Sequence, residues 1–89
     1  MVRIFYVYML RCSDGSLYTG WTDDIEKRIQ THNEGRGGRY TRSHLPVVLV
    51  YAEELPSKRD AMRREAAIKK LSRNDKLKLI KADGDLHGR

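Results

Sequence analysis

An α+β fold, a three-stranded antiparallel sheet flanked by helices in the order ββαβαα, is what this sequence predicts. Three observations carry the prediction. An aromatic and β-branched run from residue 4 meets Asp14-Gly15 and is followed by a second such run, the pattern of a hairpin. Helical apolar spacing begins after Asp23 and again after Ser57, with a weakly alternating segment held between Pro46 and Pro56. A chain of 89 residues makes one domain. Helices packed on one antiparallel sheet are the natural way for that element order to bury a core.

The first strand should run from about residue 4 to 12, and the return strand from 17 to 21. Two registers are open. A two-residue turn over Asp14-Gly15 pairs Tyr8 with Trp21 and Tyr18 with Arg11, which puts the tyrosines on opposite faces. A three-residue loop, Ser13-Asp14-Gly15 with a left-handed Gly15 and a bulge, pairs Tyr8 with Gly20 and Leu10 with Tyr18. Both tyrosines then share a face. Asp23 is the expected N-cap of the first helix, with Glu26 completing a capping box; the helix spans about 24–33 and stops at Gly35. Residues 47–53 read as the third strand. Ser57 caps a helix to about residue 71, and Ser72 caps a shorter one to about 81. The domain is expected to cover 1–82, with 83–89 a disordered tail.

Eighteen Lys and Arg against twelve Asp and Glu give a formal charge of +6 and a pI near 9.7. Such a balance favours a polyanionic partner, most simply nucleic acid. The lone Cys12 excludes an internal disulfide and a cysteine zinc site; it reads as a packing residue in a reducing compartment. The apolar run at 4–10 is too short to cross a bilayer, and its flanks do not resemble a signal peptide. A cytoplasmic protein without a membrane partner is therefore expected. At this size extended grooves or buried cavities are not.

Certain polar residues break the apolar pattern. Arg28 and His32, four apart, flank Ile25 and Ile29 on or beside the buried stripe of the first helix. They are either a packed arginine stem with a hydrogen-bonded core histidine, or part of a site. Glu65 lies among Ala61, Ile68 and Leu71 on the stripe of the second helix. A salt bridge would form more cheaply on the outer face, so bridge and site both remain open. The loop Gly35-Arg36-Gly37-Gly38-Arg39, followed by Tyr40, Thr41 and Arg42, offers amides and guanidinium groups to phosphate oxygens. His44 in the same stretch is expected to be solvated.

Tyr6-Val7-Tyr8 and Tyr18-Thr19-Gly20, then Arg28 and His32, then Glu65, together resemble the GIY-YIG nuclease domain in its small stand-alone bacterial members. The stretches that carry the likeness are Tyr6 to Cys12, Asp14 to Gly20, Arg63 to Glu65 and Ile68 to Arg73. Tyr6-Val7 stands for Gly-Ile and Thr19 for the central Ile, while Tyr8, Tyr18 and Gly20 are kept. Tyr40 occupies a position where relatives often have Tyr or His. Asn74 is available for a polar position that some members place near the metal.

The resemblance implies phosphodiester hydrolysis with one divalent metal, usually magnesium, with manganese as a substitute. Glu65 would be the protein ligand, with waters and phosphate oxygens completing the octahedron magnesium prefers. Arg28 would stabilise charge on the phosphate. Tyr8 would deprotonate or orient the attacking water, its phenolate favoured by the positive charge of Arg28, the metal and His32. Tyr18 and His32 would align water or phosphate. Arg36, Arg39, Tyr40, Arg42, Arg63 and Lys69 would meet the nucleic acid, DNA favoured over RNA, in repair or recombination, with a protein partner supplying specificity. The alternative is a nucleic-acid-binding module of this fold with little or no activity. A structural interaction domain explains the basicity but not Arg28 and Glu65. The nuclease reading requires the three-residue hairpin loop, and requires Arg28, His32 and Glu65 to converge near both tyrosines.

Overall fold

The computed structural model describes residues 3–87. Its strands are β1 (Phe5–Arg11), β2 (Leu17–Thr22) and β3 (Val48–Leu55). The helices are α1 (Ile25–Asn33), α2 (Arg39–Arg42), α3 (Lys58–Lys69) and α4 (Arg73–His87). The sheet order is β2-β1-β3 with both pairings antiparallel. This is the expected ββαβαα order with one added feature, the single helical turn α2 inside the Gly-Arg loop.

The central strand is buried on both faces, which is why β1 reads as a nearly unbroken apolar run: Val7, Tyr8, Met9 and Leu10 are all at most 1% exposed. Two cores result. Val7, Met9, Tyr51, Ala61 and Ile68 form one, with Leu71, Leu79 and Ile80 packed against it, so α3 and α4 cover that face. Tyr8, Leu10, Cys12 and Val47 form the other, with Ile25 and Ile29 of α1 against them. Burying one large apolar side chain contributes roughly 1.5–3 kcal/mol, so β1 anchors both layers. Cys12 is a buried free thiol, the packing role expected of it.

The hairpin loop decides what β1 and β2 display. Gly15 has a φ of 86°, its N–H donates to Cys12 O (2.9 Å), and Cys12 N–H donates to Ser16 O (2.9 Å). Asp14 Oδ1 accepts from both the Ser16 amide (3.0 Å) and its hydroxyl (2.6 Å), closing an Asx turn. The register is that of the three-residue loop: Tyr8 opposite Gly20 and Leu10 opposite Tyr18. Both tyrosines leave the same face.

The N-termini of α1, α3 and α4 follow side-chain caps, with one shift from expectation. The N-cap of α1 is Asp24, not Asp23: Asp24 Oδ1 accepts from Lys27 N–H (3.1 Å) while its own N–H donates to Thr22 Oγ1 (3.1 Å). Asp23 is instead paired with Arg3. An N-cap bond is worth about 1 kcal/mol, and Thr22 gives Asp24 the advantage. Ser57 caps α3 through Asp60 N–H (3.1 Å), and Ser72 accepts from Asp75 N–H (3.1 Å) at the start of α4. The bounds of α4 reach His87, beyond the expected end at 81, so residues 83–87 of the expected tail fall within its span. Residues 88–89 lie outside the described residues. Among the described residues no helix is long and apolar enough to cross a membrane.

Candidate active site

The shared face of Tyr8 and Tyr18 is the floor from which the site is built. Gly20 lies opposite Tyr8, and a Cβ there would stand 2.6 Å from the Tyr8 hydroxyl oxygen. Only glycine lets the phenol cross β2.

The first helix lays Arg28 and His32 over this floor, one turn apart. Arg28 Nε–H donates to Tyr8 Oη (3.4 Å) and its Nη2 donates to Gly37 O (3.1 Å). His32 is fully buried, with Nε2 3.1 Å from Tyr8 Oη and Nδ1 2.9 Å from Thr41 Oγ1. Thr41, also fully buried, gives its hydroxyl hydrogen to Gly38 O (3.4 Å). Thr41 therefore accepts from His32 Nδ1–H, which leaves the Nε2 lone pair facing Tyr8. At the other end Tyr8 Oη accepts from Arg28, so its own hydrogen points to Nε2. The two ends agree on one direction: Tyr8 to His32 to Thr41 to the backbone. The Tyr18 ring packs edge-on against the same imidazole, with centroids 5.2 Å apart.

Burial, and then the Arg28 charge, lower the His32 pKa, so the imidazole is neutral. The expectation that His32 adds positive charge beside Tyr8 is thus overturned: it stands there as an acceptor. Burial raises the Tyr8 pKa, outweighing the hydrogen bond and charge of Arg28 that pull it down. Arg28 is held more firmly protonated, chiefly by its hydrogen bond with Tyr8.

Glu65 comes from α3. Together with Tyr8, Tyr18, Gly20 and Arg28 it lines an open cleft of about 500 Å³. Phe5 and Trp21 also line it, and they belong to the opposite face of the hairpin. The cleft therefore lies against the unpaired edge of β2, where residues of both faces meet. A groove was not expected from a chain of this size. It lies where β2 is the edge strand of the sheet and α3 brings Lys58 and Glu65 alongside it.

Glu65 is 22% exposed and pairs with Lys69, one turn on, at 3.6 Å. The other carboxylate of the lining, Asp23, is held by Arg3. Among the described residues no group of three or more His, Cys, Asp or Glu is placed to hold a metal. The donor set available is one carboxylate, since both nitrogens of His32 are engaged. That suits magnesium, which keeps its waters and adds phosphate oxygens. It does not suit zinc, which needs three or four protein ligands.

Arg28 and Glu65 thus join the tyrosines in the cleft lining, with His32 behind them. The expected nucleic-acid contacts Arg36, Arg39, Tyr40, Arg42, Arg63 and Lys69 lie outside that lining. Arg36 is paired with Glu34, and Tyr40 donates to Ser16 Oγ (2.5 Å) on the hairpin loop. Arg39, Arg42, Arg63 and Lys69 are exposed. His44 is not simply solvated. It stacks on Tyr40 (4.4 Å, 18°), its Nδ1 meets Tyr40 O at 2.8 Å, and Nε2 lies 3.4 Å from Asp14 Oδ2. Asn74 is exposed in the first turn of α4, away from the cleft.

Sequence reasoning missed Arg3 and Lys58 in the cleft lining, named Trp21 only as a possible strand partner, and read Thr41 and Gly37 only as parts of a phosphate-facing loop. Gly37 also has a packing role, because a Cβ there would fall 2.1 Å from His32 Nδ1. The loop is packed onto the histidine. No spacing rule links Thr41 to His32; the lone tryptophan on an edge strand was the one available signal.

Comparison with known proteins identifies the family of the chain. The family model described as the GIY-YIG catalytic domain matches residues 4–78. The UPF0213 protein of Clostridium perfringens is 60% identical over 75 residues, 84% of this chain and 81% of that one. That of Staphylococcus haemolyticus is 57% identical over 75 residues, 84% and 92% of the two chains. The solution NMR structure of the UPF0213 protein of Bacillus halodurans matches with a TM-score of 0.60 at 47% identity, over 91% of this chain and 86% of that one. A solution NMR structure from E. faecalis matches with a TM-score of 0.61 at 38% identity, over 92% and 90%. The chain belongs to the GIY-YIG catalytic-domain family, and its close relatives are the small bacterial UPF0213 proteins.

Proposed function

We propose that this protein is a divalent-metal-dependent nuclease that hydrolyses phosphodiester bonds of nucleic acid, DNA by preference, in the cytoplasm. Repair or recombination is the setting we assign it, with a protein partner supplying specificity. The observation that supports this reading is the meeting of Tyr8, Tyr18, Arg28 and Glu65, from four different elements, in one cleft.

In this reading the scissile phosphate sits against Arg28, whose guanidinium faces the charge that builds on the phosphoryl oxygens. The attacking water gives a proton to Tyr8 Oη as Tyr8 passes its own to His32 Nε2. The phenol then never has to hold a full phenolate, which its burial disfavours. Water oxygen bonds to phosphorus, the bond from phosphorus to the leaving oxygen breaks, and that oxygen takes a proton from solvent. His32 then returns its proton through Tyr8 to bulk water, which restores both residues. Tyr18 packs the imidazole and borders the phosphate. Magnesium, or manganese in its place, would be held by Glu65 and would polarise the phosphate and offset charge on the leaving oxygen. Lys69 would release Glu65 to the ion and, with Arg36, Arg39, Tyr40, Arg42 and Arg63, meet the flanking backbone.

The test is magnesium-dependent cleavage of branched, single-stranded and duplex nucleic acids by wild type and by Glu65→Gln. Wild type should cut at least one substrate, and the variant should be slower by on the order of a hundredfold or more. Binding that survives without any such cleavage would make the protein a nucleic-acid-binding module.

A further inference from the structure

Trp21 is the sole tryptophan of the chain and stands on the edge strand β2. Part of its ring packs against the core around Val7 and Met9, and the remainder lines the cleft. The Lys58 ammonium lies over the ring, 5.5 Å from its centroid. Phe5 lies beside Trp21 (6.3 Å, 52°), with the Arg3 guanidinium 5.4 Å over it. The cleft lining therefore includes an aromatic pair with a cation over each ring, Lys58 over Trp21 and Arg3, itself paired with Asp23, over Phe5, in the same lining as Tyr8, Arg28 and Glu65.

We propose that Trp21 and Lys58 form a subsite for an unpaired nucleotide of the substrate strand, the base stacked on the indole and the phosphate on the ammonium. The subsite rests on the nuclease reading for its position beside the scissile phosphate, but its binding chemistry stands alone. An indole face accepts a cation or a base. A nucleotide carries both a π-face and a negative charge, so it can displace Lys58 from the ring and then pair with it. The flexible four-carbon stem of Lys58, itself exposed, permits that exchange. A simple anion would engage only the ammonium, and a neutral aromatic only the ring. A cleft of about 500 Å³ is of the size that encloses one drug-sized ligand, a class a single nucleotide falls in. A base inside a duplex has both faces covered by its neighbours, so it reaches Trp21 only by leaving the stack.

The sole tryptophan reports its own occupancy. Fluorescence of the full chain is followed during titration with oligo-dT, oligo-rU and a blunt duplex, without divalent metal so that no strand is cut. Both single strands should quench Trp21 and the blunt duplex should quench it far less; a difference between dT and rU separates DNA from RNA as the source of the strand. By anisotropy of labelled strands, which needs no tryptophan, Trp21→Leu should weaken single-strand binding roughly tenfold while duplex binding changes little. Trp21→Phe should restore most of that loss, and guards against a variant that merely misfolds. Lys58→Gln should lower the slope of log affinity against log salt by about 0.7 for a single strand. An unquenched tryptophan at saturation, or equal weakening of both ligands by Trp21→Leu and Trp21→Phe, would overturn the subsite. Quenching by a wild type that never cleaves in magnesium would support the subsite while removing the nuclease reading.

Discussion

The face of the sheet under α3 and α4 and the face under α1 are buried to the same degree with different chemistry. On the first, Val7, Met9, Ala61 and Ile68 are completely enclosed, and the buried Thr19 Oγ1 has no hydrogen-bond partner among the described residues. On the second, Tyr8, His32 and Thr41 are enclosed together and hand hydrogen bonds from one to the next, ending on Gly38 O. A buried polar group is costly only when unpaired. One face therefore holds the fold together, while the other keeps an ordered polar chain dry beside the cleft. The difference separates buried groups that only pack from buried groups held in a hydrogen-bonded chain.

The largest effect expected from breaking this contrast is on the apolar face. Met9→Ala should cost about 2–5 kcal/mol in chemical denaturation, the range for truncating an enclosed side chain. Cleavage per folded molecule should change little, because Met9 faces away from Tyr8.

A single type of substitution then separates the faces by sign. Thr41→Val deletes the acceptor of His32 Nδ1 and should destabilise by about 1–3 kcal/mol, leaving a buried N–H unpaired. Thr19→Val removes a hydroxyl with no partner and should be neutral or stabilise by up to about 1 kcal/mol. Equal losses from both in urea titrations would show that the two faces do not differ as described.

The smallest effect is a pH dependence from the polar face. His32 has a lowered pKa in the folded chain, caused first by burial and then by Arg28, whereas an unfolded histidine titrates near about 6.5. Above that value neither form is charged and the native contribution is complete. Below it the unfolded chain binds the proton first, so stability falls with pH until the lower folded value is passed. Urea midpoints from about pH 7.5 to about pH 5 should show this loss, and His32→Gln should flatten it.

Most of this was legible where a local rule carries global consequences. Asp14-Gly15 marked the hairpin but left two registers open, and only the requirement of a shared site pointed to the observed one, in which Tyr8 faces Gly20 and the tyrosines share a face. Arg28, His32 and Glu65 stood out because charge on an apolar stripe needs a reason, whether that reason is packing or a site. The packing of Thr41 and Gly37 on His32 could not be read. Their importance arises where a loop folds onto an imidazole, and nothing in spacing foretells that a Cβ on Gly37 would collide with His32. The charge of His32 was misjudged for a related reason: sequence shows that Arg28 is near, not that the ring is fully enclosed. The displaced cap of α1 is a smaller case, in which two adjacent aspartates differ only because Thr22 receives one and Arg3 the other.

The central claim is that the polar face serves the reaction through Tyr8, and Tyr8→Phe tests it most directly. The ring still fills its place over Gly20, and only the hydroxyl that joins Arg28 to His32 is lost. In single-turnover cleavage with magnesium, the variant should lose about 10²–10⁴ in rate, the range for removing a positioned proton-transfer group. Its near-ultraviolet circular dichroism should remain native. Cleavage by folded Tyr8→Phe at a rate close to wild type would contradict the account, and would leave the buried chain from Tyr8 to Thr41 as packing alone.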